Sequence, residues 1–83
     1  MDKKHLKWAI RRGMLELDLV LEGFVNKHYD NLSDTDKLSF EELLRCEDND
    51  LHSWLIKQDY SNELYLKHKR IVDMIVQDAL NIG

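Results

Sequence analysis

Along the chain, short polar joints separate segments whose apolar residues recur every three or four positions, the spacing that puts them on one face of an α-helix. Residues 3–12 set Leu6, Ala9 and Ile10 on one stripe; at 100° per residue Trp8 and Arg12 fall opposite, with His5 nearby, so Trp8 is expected off the core. Gly13 follows Arg11 and Arg12, the order a helix end favours: its carbonyl end is partially negative, and glycine takes φ > 0 at little cost. A break is predicted there. The second helix, 14–29, begins with Glu16 and Asp18 near its positive end and carries Met14, Leu17, Leu21, Phe24, Val25 and His28 at helical spacing. Leu15, Leu19 and Val20 widen that stripe, which predicts a central helix with neighbours on several sides.

Ser33 with Asp36 three residues on resembles a capping box, with Asp in place of the usual Glu or Gln, and opens a third helix over 34–46 bearing Leu38, Phe40, Leu43 and Leu44. Asp48 is positioned to cap a short fourth helix, 49–57, in which Leu51, Trp54 and Leu55 face the core and Asp50 lies in the first turn. Ser61 or Asn62 starts the last helix, 62–81, where Leu64, Ile71, Val72, Ile75, Val76, Ala79 and Leu80 make the longest regular stripe. No proline, repeat or Gly/Ser-rich linker marks a boundary. The pattern predicts an all-α fold, a compact five-helix bundle in a single domain spanning 1–83.

Size and charge narrow the function. A chain of 83 residues buries only about 60% of the surface its unfolded form exposes, so a deep internal substrate cavity would compete with its own packing. No apolar run approaches the roughly 18–20 residues of a membrane span, and Met1-Asp2-Lys3-Lys4-His5 leads into no signal-type core; the cytoplasm is expected, without membrane insertion. The single Cys46 cannot form an internal disulfide, which fits a reducing compartment. The formal net charge of −4 is unevenly spread: residues 1–12 carry +4, residues 13–66 carry 4 basic and 13 acidic groups for −9, and residues 67–83 carry +1. Only the first twelve residues could track phosphates, and the acidic middle would repel a nucleic-acid backbone, so no nucleic-acid partner is expected.

Catalytic chemistry is poorly represented. His5, His28, His52 and His68 are scattered without i, i+4 pairing, which argues against a metal site and reads as surface or boundary side chains. Cys46 stands beside Arg45, Glu47 and Asp48, whose acids would raise a thiol pKa; it reads as a small packing residue. Gly13, Gly23 and Gly83 stand alone, so no phosphate-binding loop is present. With no nucleophile–base set, the chain is not expected to be an enzyme.

What stands out is Arg12-Gly13-Met14-Leu15-Glu16-Leu17-Asp18. It can be a helix joint, with Gly13 turning the chain, Arg12 neutralising one dipole end and Glu16 and Asp18 complementing the other. It can also be a contact surface: a side-chain-free Gly13 between a cation and a carboxylate admits another backbone closely while Arg12 and Glu16 orient it, and Trp8 beside Arg11 adds residue types enriched at interface hot spots. The two readings are compatible.

The string Arg11-Arg12-Gly13-Met14-Leu15-Glu16-Leu17-Asp18, followed by Phe24, Leu32-Ser33-Asp34, Phe40, Leu43-Leu44 and Asp48-Asn49-Asp50-Leu51-x-x-Trp54-Leu55, closely resembles the succinate dehydrogenase FAD assembly factor family over about residues 5–56. The resemblance implies a five-helix protein that binds the flavoprotein subunit of succinate dehydrogenase, and in some bacteria that of fumarate reductase, and promotes covalent attachment of FAD to a histidine of that subunit. It implies a monomeric chaperone that holds no cofactor tightly, since the FAD ends on the partner. The family's functional motif falls on Arg12, Gly13 and Glu16, with Asp18 in the same surface and Trp8 and Arg11 at its rim; Asp50 and Trp54 match the second segment, Trp54 reading equally well as core. Asn49 departs from the proline that many members carry at that helix start.

Two readings of other classes stand beside this one. A small helical regulator or antitoxin would grip nucleic acid through Lys3, Lys4, Lys7, Arg11 and Arg12. A structural interaction module would instead lay its last helix in a hydrophobic groove, through Ile71 and Ile75.

Overall fold

A computed structural model describes residues 2–81; Met1, Ile82 and Gly83 lie outside them. Among the described residues five α-helices form, α1 (Lys3–Ala9), α2 (Leu15–His28), α3 (Asp34–Leu43), α4 (Asp48–Leu55) and α5 (Leu64–Leu80), with a 3-10 turn at Tyr29–Asn31 between α2 and α3. All five share one core. Helix α5 packs against α2, α3 and α4, and α2 against α4, while Leu6 and Ile10 close the core from α1. Trp54, Phe24 and Phe40 are the largest fully buried side chains, and the Phe24 and Phe40 rings meet at 5.6 Å between centroids. The radius of gyration, 11.7 Å, is that of a folded chain of this length, about 12 Å.

The helix boundaries follow from captured backbone groups. Asp2 caps α1 by accepting from the His5 N–H at 2.9 Å, and Ser33 caps α3 by accepting from the Asp36 N–H at 3.1 Å. The expected reciprocal half of that second box is missing, because the Asp36 carboxylate turns to Arg70 on α5, with Nε at 3.0 Å and Nη2 at 3.3 Å. Helix α3 stops at Leu43 and not at 46: the Arg45 and Cys46 N–H groups bond to the Glu42 and Leu43 carbonyls in tight 3-10 fashion, so Cys46 lies past the helix. Glu47 is the N-cap of α4 and Asp48 its first residue, so the helix starts one residue earlier than the sequence suggests. Asn62 accepts from the Leu64 N–H at 3.0 Å and opens α5.

Several apolar assignments change. Leu15 and Leu19 on α2 are 75% and 59% exposed, so α2 is not surrounded on all sides. The helix that flanks this stripe, α1, has seven residues and is only about 10 Å long, too short to cover it. Leu38, Leu64 and Leu80 are also exposed, and on α5 the core stripe takes up Tyr65 and His68 instead. His68 is therefore a core residue and not a surface one, set over Trp54 at 5.8 Å between ring centroids.

Candidate functional site

The joint between α1 and α2 is made by competition for backbone donors. The Ile10 N–H completes α1 by donating to the Leu6 carbonyl, and the Arg11 N–H makes a shorter return to Trp8 at 3.2 Å. The next donor, the Arg12 N–H, leaves the helix altogether and donates to the Asp18 carboxylate at 2.7 Å. That is why α1 ends at Ala9 and not at residue 12. Gly13 then takes φ +77°, a left-handed conformation that L side chains rarely adopt, and reverses the chain into α2. Asp18 so serves both helices: it sits in the first turn of α2, and it fixes the exit from α1.

The Arg12 side chain turns inward. It is 16% exposed, its Nη1 lies 3.3 Å from Asp48 Oδ1, and its Nη2 donates to the Leu44 carbonyl. Leu44 is the C-cap of α3, so the guanidinium stands at the partially negative end of that helix while meeting a first-turn carboxylate of α4. The remaining donor, Nε, is buried without an acceptor among the described residues.

The neighbours of Arg12 face outward. Gly13 is exposed, and a Cβ built on it would meet nothing within 4 Å. Glu16 is exposed and makes no hydrogen bond or ion pair among the described residues; the Arg11 side chain is likewise free. Trp8 stands 75% exposed on the last turn of α1. Between α1 and α2 runs a groove of about 620 Å³ lined by Ile10, Arg11, Leu15, Asp18, Leu19 and Glu22 among others, a mixed lining of apolar side chains and charges of both signs. The joint is thus a bare turn flanked by a carboxylate and a cation without partners among the described residues and by three large exposed apolar side chains, the composition of a contact surface.

Of the residues singled out from sequence, the structure brings Trp8, Arg11, Arg12, Gly13, Glu16 and Asp18 to this one region. Asp50 stands apart from them. Two positions along α4 correspond to a turn of 200°, so Asp50 points to the other side of the helix from Asp48, where it accepts from Asn62 Nδ2 at 3.3 Å. Sequence reading missed Asp48 and the Leu44 carbonyl as the partners of Arg12, because contacts spanning more than thirty residues leave no local signal. It also missed Leu15 and Leu19 as surface, although their stripe continues into Glu22 and Asn26 and so is only half apolar.

Away from the joint, Cys46 Sγ lies 3.4 Å from His68 Nε2. Burial, helped by Asp50, pushes the Cys46 thiol up, and burial, helped by Lys67, pushes the His68 imidazole down. Both shifts favour the neutral forms, the opposite of the thiolate–imidazolium arrangement that a cysteine nucleophile requires.

A profile of the family described as "Flavinator of succinate dehydrogenase" matches residues 4–79. Similar curated proteins carry the name FAD assembly factor SdhE: one from Aliivibrio fischeri is 39% identical over 80 residues, 96% of this chain and 91% of its own length, and one from Mannheimia succiniciproducens is 42% identical over 76 residues, 92% and 86% respectively. A third, from Idiomarina loihiensis, is 51% identical over 55 residues, 66% of this chain and 61% of its own length. No solved structure matches the chain. A profile match spanning nearly every helix, together with relatives similar over almost the whole length, makes this chain a member of the succinate dehydrogenase flavinator family.

Proposed function

We propose that this chain is an assembly chaperone that binds the flavoprotein subunit of succinate dehydrogenase and promotes covalent attachment of FAD to it, docking through the α1–α2 joint. The observation that carries the docking surface is the open Gly13 turn beside the unpaired Glu16, in a chain whose family match runs through both. Gly13 lets the partner's backbone approach closely. Glu16 and Arg11 make charge-assisted bonds to it, and Trp8 with Leu15 and Leu19 supplies apolar contact.

The contribution is one of positioning. Holding the immature subunit with flavin and histidine correctly placed favours bond formation without any group of the helper reacting. The neutral Cys46–His68 pair supports a non-enzymatic role, and FAD ends on the partner while this chain holds no cofactor tightly. The flavoprotein subunit of fumarate reductase is a second client of the same kind. The helper acts as a monomeric single domain in the cytoplasm, and no helix among the described residues is long and apolar enough to cross a membrane.

The test is a strain whose only copy carries Gly13→Arg. The bundle should keep its helical circular dichroism, while the covalent flavin fluorescence of the succinate dehydrogenase flavoprotein band falls to the level of a strain without the helper. Normal fluorescence in that strain would place the docking surface elsewhere.

A further inference from the structure

We infer that Asp48 and the Leu44 carbonyl form the seat on which Arg12 holds the Gly13 turn toward the partner, so that Arg12 and Asp48 are positioning residues for docking and not contacts. The inference rests on the docking reading above.

The carbonyl end of α3 and the first turn of α4 meet at one point, and the Arg12 guanidinium fills it, bonding to Leu44 on one side and to Asp48 at 3.3 Å on the other. A planar guanidinium suits this place because its fork can serve two acceptors at once. The backbone N–H of the same residue is held separately by the Asp18 carboxylate at 2.7 Å. Residue 12 is thus fixed at its N–H and at its side-chain tip, and it immediately precedes the φ +77° turn. Few ways remain for Gly13 to depart from the conformation that leaves it open. To reach a partner, Arg12 would have to abandon both acceptors, leaving a helix-end carbonyl without its cation; at 16% exposure it is already withdrawn from the surface. The remote string Asp48-Asn49-Asp50-Leu51 therefore belongs with the Arg-Gly string for a mechanical reason: through Asp48 it supports the turn. Asp50, on the far side of α4, takes no part in the support.

Binding of the purified chain to unflavinylated succinate dehydrogenase flavoprotein subunit, measured by calorimetry, tests this with a double-mutant cycle. Asp48→Ala should weaken binding about two- to fivefold, the range of a partly exposed ion pair. Arg12→Gln should weaken it further, since it also abandons Leu44, and the double variant should bind within about twofold of Arg12→Gln alone, because the second loss has nothing left to disturb. Glu16→Gln, a contact, should instead multiply with Asp48→Ala. In the free protein both positioning variants should move the Gly13 amide resonance in one direction while α5 resonances hold, a signature that a general loss of stability does not give. Arg12→Lys, which keeps one donor, replaces Arg12→Gln if the latter does not fold. Unchanged binding by Asp48→Ala, or a double variant whose loss is the product of the single losses, overturns the inference and makes Arg12 a direct contact. Wild-type binding by Glu16→Gln and Gly13→Arg would instead bring down the docking reading itself.

Discussion

Gly13 allows stability and docking to be separated, because the two demands on it rank substitutions in opposite orders. Its φ of +77° penalises any ordinary side chain, whereas the space around its missing Cβ is empty, so the stability cost of a substitution is conformational and not steric. Alanine in a left-handed conformation costs about 1–2 kcal/mol, and each kcal/mol lowers the melting temperature of a domain this size by about 4–8 °C. Asparagine visits that region more readily, since its short polar side chain bonds to the local backbone, and should melt above Gly13→Ala. Docking should follow side-chain bulk instead. Alanine adds one carbon to the notch and asparagine four heavy atoms, so Gly13→Asn should bind the flavoprotein subunit more weakly than Gly13→Ala despite being the more stable of the two. Thermal melts by circular dichroism and calorimetric titration on the same samples give both orders. If affinity tracks the melting temperature, with Ala the weaker binder, then Gly13 matters only for the shape of the turn and the close-approach argument is wrong.

Other expectations follow from the same geometry. Leu19, 59% exposed on the groove wall, should tolerate Leu19→Ser within about 0.5 kcal/mol of stability, yet binding should weaken at least about fivefold as the apolar area it buries in the complex is lost; wild-type affinity would remove the groove from the interface. The Arg70 guanidinium bonds to the Asp36 carboxyl and holds it below the ordinary carboxylate value, here 3.8, so the pair stabilises the fold above that value and the contribution is lost as pH falls through the lower folded one. The melting-temperature gap between wild type and Asp36→Asn should be full at neutral pH and narrow only as pH falls below the ordinary value of 3.8; a gap independent of pH would contradict the assignment. Trp54 is wholly buried, and Trp54→Ala should cost about 3–5 kcal/mol, a large share of the roughly 4–12 kcal/mol available to 83 residues. An unchanged melt would deny it a core role.

Helix number, order and type could be read from the chain because they follow from local periodicity. Ile71, Val72, Ile75 and Val76 repeat on one face of α5, and Leu51, Trp54 and Leu55 on one face of α4, and each set is buried as its spacing requires. The need for a turn at Gly13 was equally local. What the chain hid was every feature decided by a remote neighbour. Leu15 and Leu19 have the same hydrophobicity as Leu17 and Leu21; the polar Glu22 and Asn26 on their stripe hint at the difference, and the brevity of α1 leaves them uncovered. Arg12 after a helix looks like a cap for that helix, but the carbonyl it meets belongs to Leu44. His68 has an ordinary polar side chain, and only the placement of Trp54 and Cys46 makes a core site for it. Within the joint, Gly13 and Glu16 face out as their spacing suggests, whereas Arg12 and the Asp18 carboxylate are engaged with the fold through partners that local spacing does not reveal.

The central claim is that the α1–α2 joint is the surface that receives the immature flavoprotein subunit. The most direct measurement is hydrogen exchange of the chain's amides, free and mixed with unflavinylated subunit. Added protection should be confined to residues 8–19, strongest at Gly13 to Glu16, with α5 unchanged. Protection that appears instead along the exposed Leu64, Leu66 and Leu80 positions of α5, leaving the Gly13 turn as accessible as in the free chain, would contradict it.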